Sequence, residues 1–131
     1  MQQIRQLVTC GQLGLTDTGR ALPRWLVQAR HECARLGVAG GLLFDGESWV
    51  QLFEGPPEAV QPLWTLLQIA VDLGLQGVLL DRHHAGAQAG SHWQIGYVDP
   101  PLLAGLAAQV VDPGAEAVVA FMAALQACDA S

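Results

Sequence analysis

The chain has 131 residues, 51% hydrophobic and 14% charged, which is material for one packed domain and the opposite of the balance that disorder needs. Its net charge is −6 and all six basic residues are Arg (Arg5, Arg20, Arg24, Arg30, Arg35 and Arg82), so no basic stripe exists to neutralise phosphates and nucleic-acid binding is not expected. Three widely spaced cysteines without a CxxC (Cys10, Cys33, Cys128) and no apolar run of roughly 18 residues predict a soluble cytoplasmic protein with buried thiols and no membrane span.

Residues 4–9 alternate apolar and polar and predict a short strand, followed by a Gly/Thr/Asp-rich loop over 10–20. Pro23 suits a first helical position. Beyond it Trp25, Leu26, Ala29, Cys33 and Leu36 recur on one helical face, and Gly37 stops the helix. Two apolar runs, 38–44 and 49–53, flank Asp45-Gly46, a strong hairpin signal. After Gly55-Pro56-Pro57, a second helix carries Val60, Leu63, Trp64, Leu67, Ala70 and Val71 and ends near Gly74. Residues 77–80 predict a strand, 81–91 a loop and 92–98 another strand. Pro100-Pro101 then opens a tail with two helical stretches, 102–110 and 116–127, parted by Pro113-Gly114.

The order is that of an α+β, ferredoxin-like β-α-β-β-α-β(-β) sheet with two helices on one face. Residues 1–99 read as this domain, and 100–131 as a C-terminal helical extension packed on it. The tail could cover the other sheet face or an edge, and supplies Leu102, Leu103, Leu106, Val110, Val118, Val119, Phe121, Met122 and Leu125 for it; if these do not cover that face a second chain should, since large apolar patches are rarely left bare. Trp25, Trp49, Trp64 and Trp93 suit either core or interface.

Few residues read as chemistry. Cys33 sits on the apolar helix face, so core packing is the expectation. His83 and His84 are adjacent and would point to opposite faces of a strand; with His92 they form no metal-ligand spacing, and no metal is expected. Glu54 precedes a helix start, where a negative charge is favoured. An acyl-phosphate hydrolase on this scaffold would want an Arg beside a Gly-rich loop, and only Arg20 qualifies; no enzyme activity is expected. Alternation leaves Gln51 free to face outward or toward the helices.

Three segments resemble one family. Gly37 to Phe44, Val50-Gln51-Leu52-Phe53-Glu54-Gly55-Pro56 and Trp93-Gln94-Ile95-Gly96-Tyr97 are similar to stretches of BLUF domains, which sense blue light with a flavin. The resemblance spans roughly residues 4–98. It implies an isoalloxazine between the two helices, ringed by a strand-one Tyr, a helix-one Asn and a strand-three Gln. Gln51 matches the Gln and Trp93 the late Trp. The Tyr position falls at Thr9 and the Asn position at Cys33; Asp72 remains from a basic turn whose Arg and His are absent. Thr9 has no low-lying oxidised form, and Cys33 cannot replace an amide at a ring edge. The expectation is a BLUF-like sensory and regulatory domain without ordinary BLUF photochemistry. It would act through a protein partner or as a homo-oligomer, with no cofactor expected. The alternative is a photoreceptor that holds FAD or FMN through altered contacts.

Overall fold

A computed structural model describes residues 2–13, 19–88, 90, 92–111, 118 and 120–125. Strand β1 (Gln3–Gln12) leads to helix α1 (Ala21–Leu36). Strands β2 (Ala39–Phe44) and β3 (Ser48–Gly55) form the hairpin about Asp45-Gly46, where the Asp45 carboxylate accepts from the Glu47 and Ser48 amides. Helix α2 (Pro57–Ile69) ends in a 3-10 turn over Val71–Leu73, and β4 (Leu75–Ala85), β5 (Trp93–Tyr97) and α3 (Pro100–Val111) follow. Residues 118 and 120–125 are also helical.

The five strands lie in the order β4-β1-β3-β2-β5, antiparallel except for the β2–β5 pair. This is the expected α+β, ferredoxin-like sheet. One core lies between the sheet and the two long helices and includes Leu7, Trp25, Leu42, Trp49, Phe53, Val60 and Leu63. A second lies on the opposite face, where Val8, Leu43, Val50 and Leu52 meet Leu103, Leu106, Val110, Val118, Phe121, Met122 and Leu125. Leu102 points away and is exposed; Val119 and Cys128 lie outside the described residues. Among the described residues no helix is long and apolar enough to cross a membrane.

Several boundaries differ from expectation. β1 runs on through Gly11 and Gln12, which pair with Trp49 and Ser48 of β3, and residue 11 has to be glycine because a Cβ there would sit 2.4 Å from the Trp49 ring. α1 begins two residues before Pro23, which still falls in the first turn, where its missing N–H costs nothing. Residues 81–85, read as loop, are the second half of β4 and pair with β1. Gly40 has φ of +124°, and a Cβ there would meet the Leu52 carbonyl oxygen at 2.2 Å, so β2 and β3 approach only because this residue is glycine.

Polar side chains stitch β1 to both neighbours. Arg5 donates from Nε and Nη2 to the two Asp81 oxygens, each at 2.8 Å, and from Nη1 to Gln61 at 2.8 Å. Gln6 donates to Glu54 at 2.6 Å and accepts from Arg82 at 2.6 Å. Glu54 thus does precede the start of α2, but as a buried β3 residue whose carboxylate accepts from Gln6. The Arg5 hydrogen bonds hold the Asp81 carboxyl below its usual range, against the opposing effect of burial. A depressed carboxyl stabilises the fold above its unfolded pKa of about 3.9 and loses that contribution as pH falls through the folded value. Asp81→Asn should therefore cost about 1 kcal/mol at pH 7, discounted because the carboxylate is partly exposed, and distinctly less at pH 3, where the unfolded carboxyl is already largely protonated. Urea unfolding of both proteins at the two pH values measures this. An equal loss at both would show that charge is not the cause.

Candidate functional site

The site is built from three strands' helix-facing positions and the inner face of α1. In β3 the side chains alternate: Trp49 and Phe53 join the helix-side core, Val50 and Leu52 the other. Gln51 therefore faces the helices. Its register partner on β1 is Thr9 and on β2 Leu42. Thr9 follows a register shift between β1 and β4, a local irregularity of the kind that re-aims side chains near sites. Thr9 and Gln51 are both fully buried.

Trp25 closes over them. Its indole Nε1 donates to Gln51 Oε1 at 2.8 Å, and its ring meets Phe53 edge-on at 6.5 Å and 67°. An indole N–H can only donate, so the amide oxygen must face it and the amide nitrogen must face away. That nitrogen, Gln51 Nε2, has no hydrogen-bond partner, nor has Thr9 Oγ1. Two orphaned polar atoms on register partners are unusual in a packed core, where each costs about 1–3 kcal/mol.

The other expected site residues surround this centre at different depths. Trp93 is buried, stacks on Phe53 at 6.3 Å and 23°, and donates to the Leu52 carbonyl at 3.3 Å. Cys33 is buried in the helix-side core. Asp72 is exposed on the 3-10 turn after α2, at a cavity of about 300 Å³ that it lines with Arg24, Trp25 and Gln28 of α1 and with Leu66 and Val71. Trp25 borders that cavity and Gln51 does not. The structure thus gathers Thr9, Gln51 and Trp93 with Trp25 and Phe53, and leaves Asp72 at the rim.

Sequence reasoning missed the role of Trp25. A usable signal was present: a buried tryptophan N–H seeks an acceptor, and Gln51 is the polar residue within the apolar run of β3. Among the described residues no His/Cys/Asp/Glu group could hold a metal ion. Burial, and secondarily Glu32, pushes the Cys33 thiol up to about 12. A thiol so raised holds almost no thiolate at pH 8. Iodoacetamide at that pH should leave Cys33 unmodified in the native protein and alkylate it fully in urea, as read from its peptide by mass spectrometry. Rapid native labelling would place Cys33 outside the core.

As the side chains stand, Gln51 Oε1 is taken by the Trp25 indole and the Gln51 amide nitrogen is open to one further acceptor.

No family model and no curated protein matches the sequence. Solved structures do. BlrB, a BLUF protein in its dark state, is 25% identical with a TM-score of 0.64, covering 98% of this chain and 98% of that one. BlsA in its photo-activated state is 15% identical with a TM-score of 0.65, covering 93% and 94%. Klebsiella pneumoniae BlrP1 with FMN and cyclic diGMP is 23% identical with a TM-score of 0.56; the match covers 90% of this chain and 30% of that longer one. The TM-scores and the near-complete coverage of BlrB and BlsA agree: the chain has a BLUF-like fold.

Proposed function

We propose that this chain is a sensory or regulatory domain that works through protein contacts and lacks the tyrosine-dependent photocycle its family resemblance implies. One observation carries the reading: the residue beside Gln51 on β1 is Thr9, and the Gln51 oxygen is already engaged by Trp25. An aliphatic hydroxyl cannot give an electron to an excited ring, and an amide held by an indole is not free to reorganise toward one. Contact with partners is supported by exposed apolar side chains, Val27, Ile69, Val71, Leu102 and Val111, of which Val71 is 81% exposed. The match to part of the longer BlrP1 chain supports signalling to another domain or subunit.

A second reading has its own support. The orphaned Gln51 Nε2 and Thr9 Oγ1 would be satisfied by a bound polar heterocycle, and FMN accompanies BlrP1. In that case the chain is a photoreceptor with altered flavin contacts.

The test is the absorption spectrum of freshly purified protein, in darkness and after blue light. The expected result is no light-induced red shift. A stoichiometric flavin whose band moves red on illumination and recovers in the dark overturns the proposal.

A further inference from the structure

We infer that the outer edge of β5, together with the groove between it and α1, is a docking site for an extended acidic segment of a partner protein, which adds to the sheet as a sixth strand. This rests on the reading that the chain works through protein contacts, and it names the kind of contact. Three observations carry it.

The first is a contrast between the two sheet edges. β4 and β5 are the outermost strands. β4 carries Asp81, Arg82, His83 and His84, polar groups of the sort that blunt an edge against pairing. β5, Trp-Gln-Ile-Gly-Tyr, has no charged residue and no proline. Its backbone is also turned for pairing. His92 accepts from the Gly40 amide and the Val98 amide donates to Phe44, so the even-numbered residues bond inward to β2. The N–H and C=O of Trp93 and Ile95 therefore point outward, and among the described residues no strand lies there to meet them. Such an edge is the template for strand addition.

The second is the groove. α1 shows Leu26, Val27, Arg30 and His31 toward β5, and with Ile95 they line a space of about 350 Å³. Val27 is 73% exposed. A residue opposite Ile95 on an added strand shares its face of the sheet, so every second side chain of that strand enters the groove. The groove shares no lining residue with the cavity at the slot where the Trp25 indole meets Gln51.

The third is charge, which selects the occupant. Arg30 is the one fixed charge among the groove's lining residues, and it makes no ion pair among the described residues. Glu32, the one acid of α1, is held by Arg35 at 2.6 Å. A carboxylate on the incoming strand pairs with Arg30. A second copy of this chain, laid edge to edge about a two-fold axis, would instead set two Arg30-bearing grooves against each other.

The experiment titrates end-capped peptides into the full chain in darkness: Thr-Leu-Thr-Glu-Thr-Leu-Thr, its analogue with Lys for Glu, and the Glu peptide N-methylated at Leu and Glu, whose amides would bond β5. Two-dimensional amide NMR reads affinity and location together. Wild type should bind the Glu peptide with Kd below about 1 mM, and at least about tenfold tighter than the Lys analogue or the N-methylated form. Arg30→Glu, an exposed change outside the core, should reverse the preference between Glu and Lys. The amides of Val27 and Ile95 should shift, and those of Asp81 to His84 should not. Equal affinity for the Glu and Lys peptides overturns the docking site. So do undiminished binding of the N-methylated form, shifts confined to β4, or no binding at about 1 mM. A peptide that fails to bind because the protein sediments as a dimer through this edge would assign it to a second copy, which overturns the proposal too. A light-driven red shift of a bound flavin would instead overturn the proposed function and leave these dark affinities unmoved, so the two failures are distinguishable.

Discussion

Trp25→Ala should lower the stability of the fold by about 3–5 kcal/mol, measured by urea unfolding at pH 7. The indole is 2% exposed and packed against the sheet, so its loss removes a large apolar surface from the core. It also removes the donor to Gln51, leaving the whole of that buried amide without a partner, which adds to the cost. The 300 Å³ cavity already bordering Trp25 makes collapse around the deletion incomplete, which favours the upper part of that range. Trp64→Ala is the internal comparison. Trp64 is half-buried and packs at the margin of the same core, so its loss should cost no more than about half as much. A Trp25→Ala penalty below about 1 kcal/mol would mean that the indole does not lie in the slot.

Removing residues 100–131 should leave a chain that cannot persist as a folded monomer. Seven tail side chains, Leu103, Leu106, Val110, Val118, Phe121, Met122 and Leu125, are buried in the core on the second sheet face. At about 1.5–3 kcal/mol for each buried side chain, their gross contribution is on the order of 10–20 kcal/mol. That matches or exceeds the total stability of a typical domain, about 5–15 kcal/mol, even before the ordering of the tail is set against it. The uncovered Val8, Leu43, Val50 and Leu52 would form a continuous apolar strip. Light scattering behind size exclusion should find aggregates or higher oligomers, with near-ultraviolet dichroism lost. The proposal behind this is that 1–99 and 100–131 form one cooperative unit. A truncated chain that is monomeric and unfolds at the full-length midpoint would refute it.

The hairpin, both long helices and the element order were legible in the sequence, since each has a local signature: Asp45-Gly46, an apolar face every three or four residues, a closing glycine. The second half of β4 was not. Asp81, Arg82, His83 and His84 look like a polar loop, and only the ladder to β1, some 75 residues away, makes them a strand. The direction of Gln51 was hidden for a related reason. Because the tail covers one face of β3 and the helices the other, Trp49 through Gly55 are all buried and alternation carries no information. The Trp25–Gln51 bond joins residues 26 positions apart, and neither periodicity nor spacing encodes such a meeting.

The strand order has a consequence for biosynthesis. β1 lies between β3 and β4, and both of these neighbours come later in the chain. On a ribosome adding 5–20 residues per second, Ala85 is made about 70 residues after Gln12, so roughly 4–15 s pass before both of its ladders can close. Throughout that interval the β4-side edge of β1 has no strand of its own sheet to pair with, an open row of N–H and C=O groups of the kind that invites pairing with another chain.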